Sequence, residues 1–572
     1  MKRFNYKTIS WGLLFFLGIA ILSSCKDELL PDADRLFRPI LSDDEIEVGL
    51  TSDTVPFIKV TWDKYADANE YFVRAIASDG SDSVSITTDS SSCTFKNMKF
   101  DKEYNIKIRS RNTITGLESR DFIISTTTPD FPTRLFSITS SNIIDTQVRI
   151  MWLPISNGVA TVYDTIRVYN VLKDSMEVEV AVMSADLEKY SKIIRKLTPS
   201  TEYRIEAFNK GKYQGKKLFK TAAAESYTGL VIDLRGLSES ESYKYFSTVT
   251  GSLYPNTVDS IVKANVNQDI TFVLQGGVTY RLPTLSIPST TGKINFVTGL
   301  SLNGFASFAV SGNVTTDANN VVGEINFSKI FFTDAPLEGK KRTDSNYAGT
   351  YIFNTASTAS NYEIGKISFS NCAIKYKRGV IRMQTAAKIK ELVIDNCIID
   401  SIGGYGITNA DNAGSSLAAV SVMNSTFSNC DKLFVNSKPT TLPVSSFKVE
   451  NSTFVYYGTN KGYMFDFNGC TVTNGIQLTK CIFGRPGTRP VGVLLDGVYG
   501  WRGLTSPTCT DCYNTSDLKW VVGIDLITPI NPLSTTLLST DTPGSFKAPD
   551  ASDFTIISSE LKSLKVGDPR WY

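Results

Sequence analysis

Apolar and polar positions alternate with period two along most of the chain, in short runs broken by Asn, Gly, Ser and Asp. Val60-Thr61-Trp62, Glu70 to Ala75 and Met98 to Ile108 predict strands of a first block. A second block repeats the order, with Val148 to Trp152, Asp164 to Tyr169 and Leu197 to Asn209. Beyond Thr221 the pattern changes. Strands such as Leu230 to Leu234 and Ile270 to Leu274 lead into an aligned series: Asn371-Cys372-Ala373-Ile374, Asn396-Cys397-Ile398-Ile399, Asn424-Ser425-Thr426-Phe427, Asn451-Ser452-Thr453-Phe454, Lys480-Cys481-Ile482-Phe483 and Asp511-Cys512-Tyr513. The steps are 25, 28, 27, 29 and 31 residues. A near-fixed period with one polar–small–x–apolar signature predicts a stacked unit with one coil per repeat, a right-handed parallel β-helix.

The signature has a physical reading. An Asn at a bend satisfies polar groups that a turn leaves open and stacks on the Asn of the next coil. The following residue points inward, where Cys or Ser is small enough to repeat in register. Cys372, Cys397 and Cys481 are then core residues. Cys509 and Cys512 form one CxxC, read as a buried or locally paired couple rather than a zinc site.

The two blocks resemble the fibronectin type III family, in which a Trp fills the core and a Tyr after Leu-x-Pro-x-Thr makes a corner hydrogen bond. Leu197-Thr198-Pro199-Ser200-Thr201-Glu202-Tyr203 matches that pattern, whereas Met98-Lys99-Phe100-Asp101-Lys102 departs from it. Trp62 and Trp152 are therefore expected as core plugs. The fold class is all-β: two fibronectin type III sandwiches, at 36–128 and 129–222, then the β-helix with a C-terminal cap at 223–572.

The start of the chain reads as targeting. Lys2, Arg3 and Lys7 precede an apolar run, Trp11 to Leu22, too short to span a bilayer comfortably. Leu22-Ser23-Ser24-Cys25 looks like a bacterial lipobox. Residues 1–24 are then a signal peptide, Cys25 the lipidated residue and 25–35 a tether. Lys26-Asp27-Glu28 resembles a short signal that sends lipoproteins to the outer face of the outer membrane. The expected location is lipid-anchored there, facing the exterior.

Charge and chemistry narrow the function. Removing the leader leaves 56 basic against 57 acidic residues. That balance gives no global attraction to nucleic acid. Histidine is absent, which excludes Ser-His-Asp and Cys-His nucleophile systems and His-ligated zinc. From Lys366 to Lys390 there are seven basic residues and no acid, a local concentration suited to a polyanion.

Through most of its mature length, including Gly500-Trp501-Arg502-Gly503, Tyr513 to Asp517 and Val566 to Trp571, the chain resembles outer-surface lipoproteins of pectin-type polysaccharide-utilisation systems, with fibronectin type III domains followed by a pectate-lyase-like β-helix of uncharacterised family. The resemblance implies capture of an acidic polysaccharide for uptake, beside enzymes and a glycan transporter. Lys375, Lys377, Arg378, Arg382, Asn436, Tyr499 and Trp501 are the candidate glycan contacts. Aligning coils by the Asn signature places Ile381, Ile407, Val435, Phe465 and Leu495 inward, and Arg382, Thr408, Asn436, Asp466 and Asp496 outward. Two further readings stay open. One is an endo-acting uronate lyase with Arg382 or Arg378 as base, with calcium held by Asp466 and Asp496. The other is a structural or adhesive surface protein. No cofactor is required by the first reading.

Overall fold

The computed structural model describes residues 35–572 apart from 52–54, 157–158, 250, 334–348, 356–360, 385, 411, 413, 436–443, 459–461, 488–496 and 525–527. The leader, the lipidation residue Cys25, most of the tether, Asn436, Leu495 and Asp496 lie outside the described residues. The chain divides into two compact units. One comprises Met1–Ile138, Ile150–Lys192 and Glu202–Phe219; the other comprises Thr139–Arg149, Ile193–Thr201 and Lys220–Tyr572.

The first sandwich packs a three-stranded antiparallel sheet (Ile46–Leu50, Pro56–Thr61, Ser92–Phe95) on a four-stranded one (Ser83–Thr88, Glu70–Ala77, Glu103–Arg111, Phe122–Thr127). Alternation decides which side chains are inside. Tyr71, Val73 and Ala75 face in from one strand and Tyr104, Ile106 and Ile108 from its neighbour, around a buried Trp62. The Tyr104 hydroxyl accepts the Lys99 backbone N–H at 3.2 Å. This is the corner hydrogen bond, made in the copy whose sequence departs from the family pattern. In the second sandwich the four-stranded sheet runs Ser175–Ala181, Thr165–Asn170, Glu202–Asn209, Lys212–Lys220, and Trp152 is fully buried. Asp101 and Ser200, at the two corresponding corners, both adopt left-handed backbone.

From Leu230 onward three sheets run side by side. Each takes every third strand in sequence, giving ten, ten and nine strands among the described residues. Successive strands pair in parallel, as Tyr362–Ser370 does with Ala387–Asp395 and that strand with Ser416–Met423, except at the end of the third sheet, where Tyr499–Arg502 and Ile530–Asn531 pair antiparallel. The fold is thus a parallel β-solenoid. Identical side chains pile up inside: Phe272, Phe296, Phe327 and Phe369 stack at 5.3–5.4 Å, with planes within 17° of parallel. Offset stacks of this kind add to the area they bury.

The Asn signature marks the bend between the first and second sheets. Asn371, Asn396, Asn424 and Asn451 all have φ between 46° and 55°, a conformation that Asn tolerates better than most residues. Asn396 donates its amide to Asn371, and Asn451 to Asn424 at 3.3 Å. Between them the ladder shifts, with Asn424 donating to Asp395 at 3.0 Å. The next residue turns inward each time. Cys372, Cys397, Ser425, Ser452 and Cys481 are buried, each donating to the carbonyl two residues earlier. Cys509 and Cys512 are free thiols.

The C-terminal residues form a strap on the second sheet. Phe546, Phe554, Ile556, Leu561 and Val566 join Val455, Tyr456 and Ile482 in a separate apolar cluster. Asp568 is fully buried, accepting from Thr426 at 2.7 Å and from Arg570 at 3.0 Å. Trp571 donates to Thr426 at 2.7 Å, and Arg570 also reaches Asn396.

Candidate functional site

The basic run from Lys366 to Lys390 passes through strands of all three sheets (Tyr362–Ser370, Ala373–Lys377, Gly379–Met383) and back to the first with Ala387–Asp395, so its cations are distributed over faces rather than gathered. Lys366 lies on the first sheet and Lys375 on the second, where it pairs with Asp400 of the next coil at 3.1 Å. Its ammonium is raised in pKa by that carboxylate, against the cost of burial. Lys388 and Lys390, back on the first sheet, pair with Glu363.

Lys377 is a correction. Simple alternation places it beside Lys375 on the outer face. Tyr376 instead takes φ 59°, which breaks the alternation and turns Lys377 inward. It is 0% exposed, donating to Thr350 Oγ1 at 2.8 Å and directed at the Val310 carbonyl at 3.4 Å. A side chain so placed cannot touch a polymer outside.

The outward alignment on the third sheet holds at Arg382 and Asp466 and is corrected elsewhere: Thr408 faces in, and Val435 and Arg502 stand in the outward column. Arg382 pairs in register with Asn354 and Asn409, not with Thr408. Val435 pairs with Asp466, and Asp466 with Arg502. The inner column is Phe353, Ile381, Thr408, Phe434, Phe465 and Trp501. Connections between the second and third sheets vary in length, so a fixed offset from the Asn signature cannot hold. Trp501, expected as a sugar platform, is 7% exposed and fills the core at the end of the solenoid. Tyr499 is half-buried and stacks on Tyr463 at 5.1 Å. Asp466 is closed by a two-pronged pair with Arg502, at 2.8 and 2.7 Å, and the Arg502 guanidinium lies 4.5 Å from the Tyr463 ring. Each Asp466 oxygen accepts one of these hydrogen bonds, and Asp496, the other expected calcium ligand, lies outside the described residues.

What remains is a compact group built by Tyr351, Arg378, Arg382 and Tyr405. Gly379 makes room for it, because a Cβ there would sit 3.1 Å from both Tyr351 and Tyr405. Tyr405 rides on Gly403-Gly404-Tyr405-Gly406, with its backbone N–H on the Arg378 carbonyl at 3.2 Å. The guanidinium carbons of Arg378 and Arg382 lie 4.5 and 4.4 Å from its ring centre. Arg382 also donates to the Tyr351 hydroxyl at 3.0 Å, and the two tyrosine rings meet edge to face at 5.4 Å. Burial pushes the Tyr351 hydroxyl up to about 12, against the two arginines, which lower it. Neither arginine meets a carboxylate among the described residues. Aromatic faces hold the cations in place, but they do not neutralise them. The arrangement therefore presents two oriented, uncompensated guanidiniums, the geometry that takes a carboxylate in two parallel hydrogen bonds.

Sequence reasoning found Arg378 and Arg382 and missed Tyr351, Tyr405 and Asn409. The glycine-flanked Tyr405 carried a usable signal, since such a loop between two strands lets a ring stand close to backbone. Clefts lie elsewhere: one of about 500 Å³ among Phe100, Phe131, Phe208 and Tyr213, another of about 750 Å³ beside Tyr243, Tyr254 and Arg281. An extended polymer lies along an open wall, so cavity size does not rank these above the third sheet.

These features define a protein of two fibronectin type III-like sandwiches and a parallel β-solenoid with an arginine–tyrosine group on its third sheet. The profile of a family described as a domain of unknown function, DUF4957, matches residues 278–430, the stretch that carries Tyr351, Arg378, Arg382, Tyr405 and Asn409. No curated protein matches. Among solved structures the chain is similar to a two fibronectin type III domain segment from chicken tenascin, with 17% identity, a TM-score of 0.17 and coverage of 32% of this chain and 100% of that one. It is also similar to the FN1–FN3 domains of chicken CNTN1, with 17% identity, a TM-score of 0.13 and coverage of 32% and 65%.

Proposed function

We propose that this chain is a glycan-binding protein that captures an acidic polysaccharide, of the pectin or polygalacturonan kind, on the outer face of its third sheet. The observation that carries the reading is the pair Arg378 and Arg382, held on Tyr405 and Tyr351 with no acidic partner among the described residues. A uronate supplies what that pair lacks, and tyrosine faces suit the C–H side of a sugar ring. Cys25 would anchor the chain in the outer membrane, facing outward, where captured polymer passes to a transporter.

Affinity electrophoresis in gels containing polygalacturonate tests the reading. The intact protein is expected to be retarded, and Arg378→Ala with Arg382→Ala to run freely. Equal migration of both in polygalacturonate and in blank gels sinks the proposal and leaves the adhesive reading. A rise in ultraviolet absorbance from unsaturated uronate, lost on Arg382→Ala, would replace capture by lyase chemistry.

A further inference from the structure

Two polar atoms of the third sheet have no hydrogen-bond partner among the described residues although both are shut off from solvent: the Nε of Arg382 and the Oδ1 of Asn409. They belong to residues paired in register on adjacent coils, about 4.8 Å apart along the stack. Asn409 is only 6% exposed. Buried donors and acceptors are almost always satisfied, so an orphan of each kind side by side calls for an explanation.

The chemistry of these two atoms is specific. Nε–H can only donate, and the amide oxygen can only accept. One small group that accepts from the first and donates to the second closes both. A carboxylate accepts but cannot donate, and an ammonium donates but cannot accept. A hydroxyl does both. Another nitrogen of Arg382 stays on the Tyr351 hydroxyl, and the remaining donors of Arg382 and Arg378 face any acid group alongside. The ring of Tyr405 lies against the Arg382 guanidinium, on a loop of three glycines; at Gly404 a Cβ would meet nothing within 4 Å.

We propose that Arg382 Nε and Asn409 Oδ1 together read a free sugar hydroxyl next to the acid group of the bound glycan, and that Tyr405 covers the Arg382 guanidinium until the ligand lifts it away. This rests on the acidic-glycan reading and deepens it: the ligand is a hydroxylated acid sugar, and an anion alone does not satisfy the site. A polymer whose hydroxyls at that position are removed keeps its charge and loses the pair.

The test is a protein–ligand cycle by titration calorimetry on the full chain. The ligands are a galacturonate oligomer and its analogues with one hydroxyl replaced by hydrogen. On the unaltered protein, one deoxy position is expected to weaken binding about tenfold. Asn409→Ala should weaken the parent oligomer by a similar factor and leave that deoxy analogue unchanged. Arg382→Lys keeps the positive charge and removes the Nε donor, so it should also stop distinguishing the two ligands while still preferring them to a neutral oligomer. If every deoxy analogue binds the unaltered protein as tightly as its parent, or if Asn409→Ala weakens all ligands equally, the hydroxyl-reading pair is overturned and acid capture stands. If no uronate binds at all, the underlying reading falls with it. Circular dichroism of both variants against the parent protein separates these outcomes from misfolding.

Discussion

At the scale of single residues, the bends of the solenoid are set by which side chains tolerate positive φ. The Asn positions were legible because two local demands coincide in one dipeptide, a left-handed residue and a small inward one. Tyr376 gives no such warning. Tyrosine is a poor choice for φ 59°, so alternation was the natural expectation and Lys377 was assigned to the wrong side. Asn451 isolates the cost of the bend. At φ 46° and with its amide on Asn424 at 3.3 Å, Asn451→Ala should destabilise the solenoid by about 2 kcal/mol, the left-handed cost plus a lost hydrogen bond. Asn451→Gly should recover roughly half of that, since glycine tolerates the conformation but restores no amide. Urea unfolding curves of the three proteins check this; equal losses for both variants would mean that the backbone conformation contributes nothing.

At the scale of elements, strands were readable and the spaces between them were not. Alternation located several strands of each sandwich, and the Asn series located the second-sheet strands from Ala373 onward, while 225–365 lacks that repeat signature. The third sheet was only partly readable, because its distance from the Asn bend changes from coil to coil: Arg382 and Asp466 fell on the expected side, while Thr408 and Val435 did not. The closing string Val566-Gly567-Asp568-Pro569-Arg570-Trp571 looked like a family signature without chemistry, and the strap gives it a structural cause. Gly567, at φ 83°, lies where a Cβ would stand 2.6 Å from Ile482, and Asp568 is sealed beneath it. Burial pushes the Asp568 carboxyl above its ordinary value of 3.8, more than Thr426 and Arg570 pull it down. The folded state therefore holds this proton more tightly than the unfolded chain does. Its contribution to stability is complete below pH 3.8 and is lost as the pH rises through the elevated folded value. Asp568→Asn, which cannot ionise, should show a flatter stability profile from mildly acid to neutral pH. Thermal melts across that range read the difference, and parallel profiles would show that Asp568 is not raised.

At the scale of the whole molecule, a formal net charge of +2 leaves no long-range field to gather a polyanion, so any attraction must come from where particular cations are left uncompensated. The run from Lys366 to Lys390 is basic as a string, yet winding it into one coil sends its charges to three sheets. Asp400 answers Lys375, Glu363 answers Lys388 and Lys390, and the interior takes Lys377. Linear charge density thus overstates what a solenoid offers to a ligand, and only Arg378 and Arg382 remain oriented together on one wall. Two opposed guanidiniums in contact with solvent lose most of their reach beyond about 10 Å at 0.1 M salt. Retardation in polygalacturonate gels should therefore weaken as ionic strength is raised, and methyl esterification of the polymer should weaken it at constant ionic strength. Both dependences should vanish in the double variant Arg378→Ala with Arg382→Ala and persist in Lys366→Ala, whose charge lies on another sheet. If Lys366→Ala removes as much of the salt dependence as the double variant, binding is a diffuse property of the basic coil, and the arginine–tyrosine group has no privileged part in it.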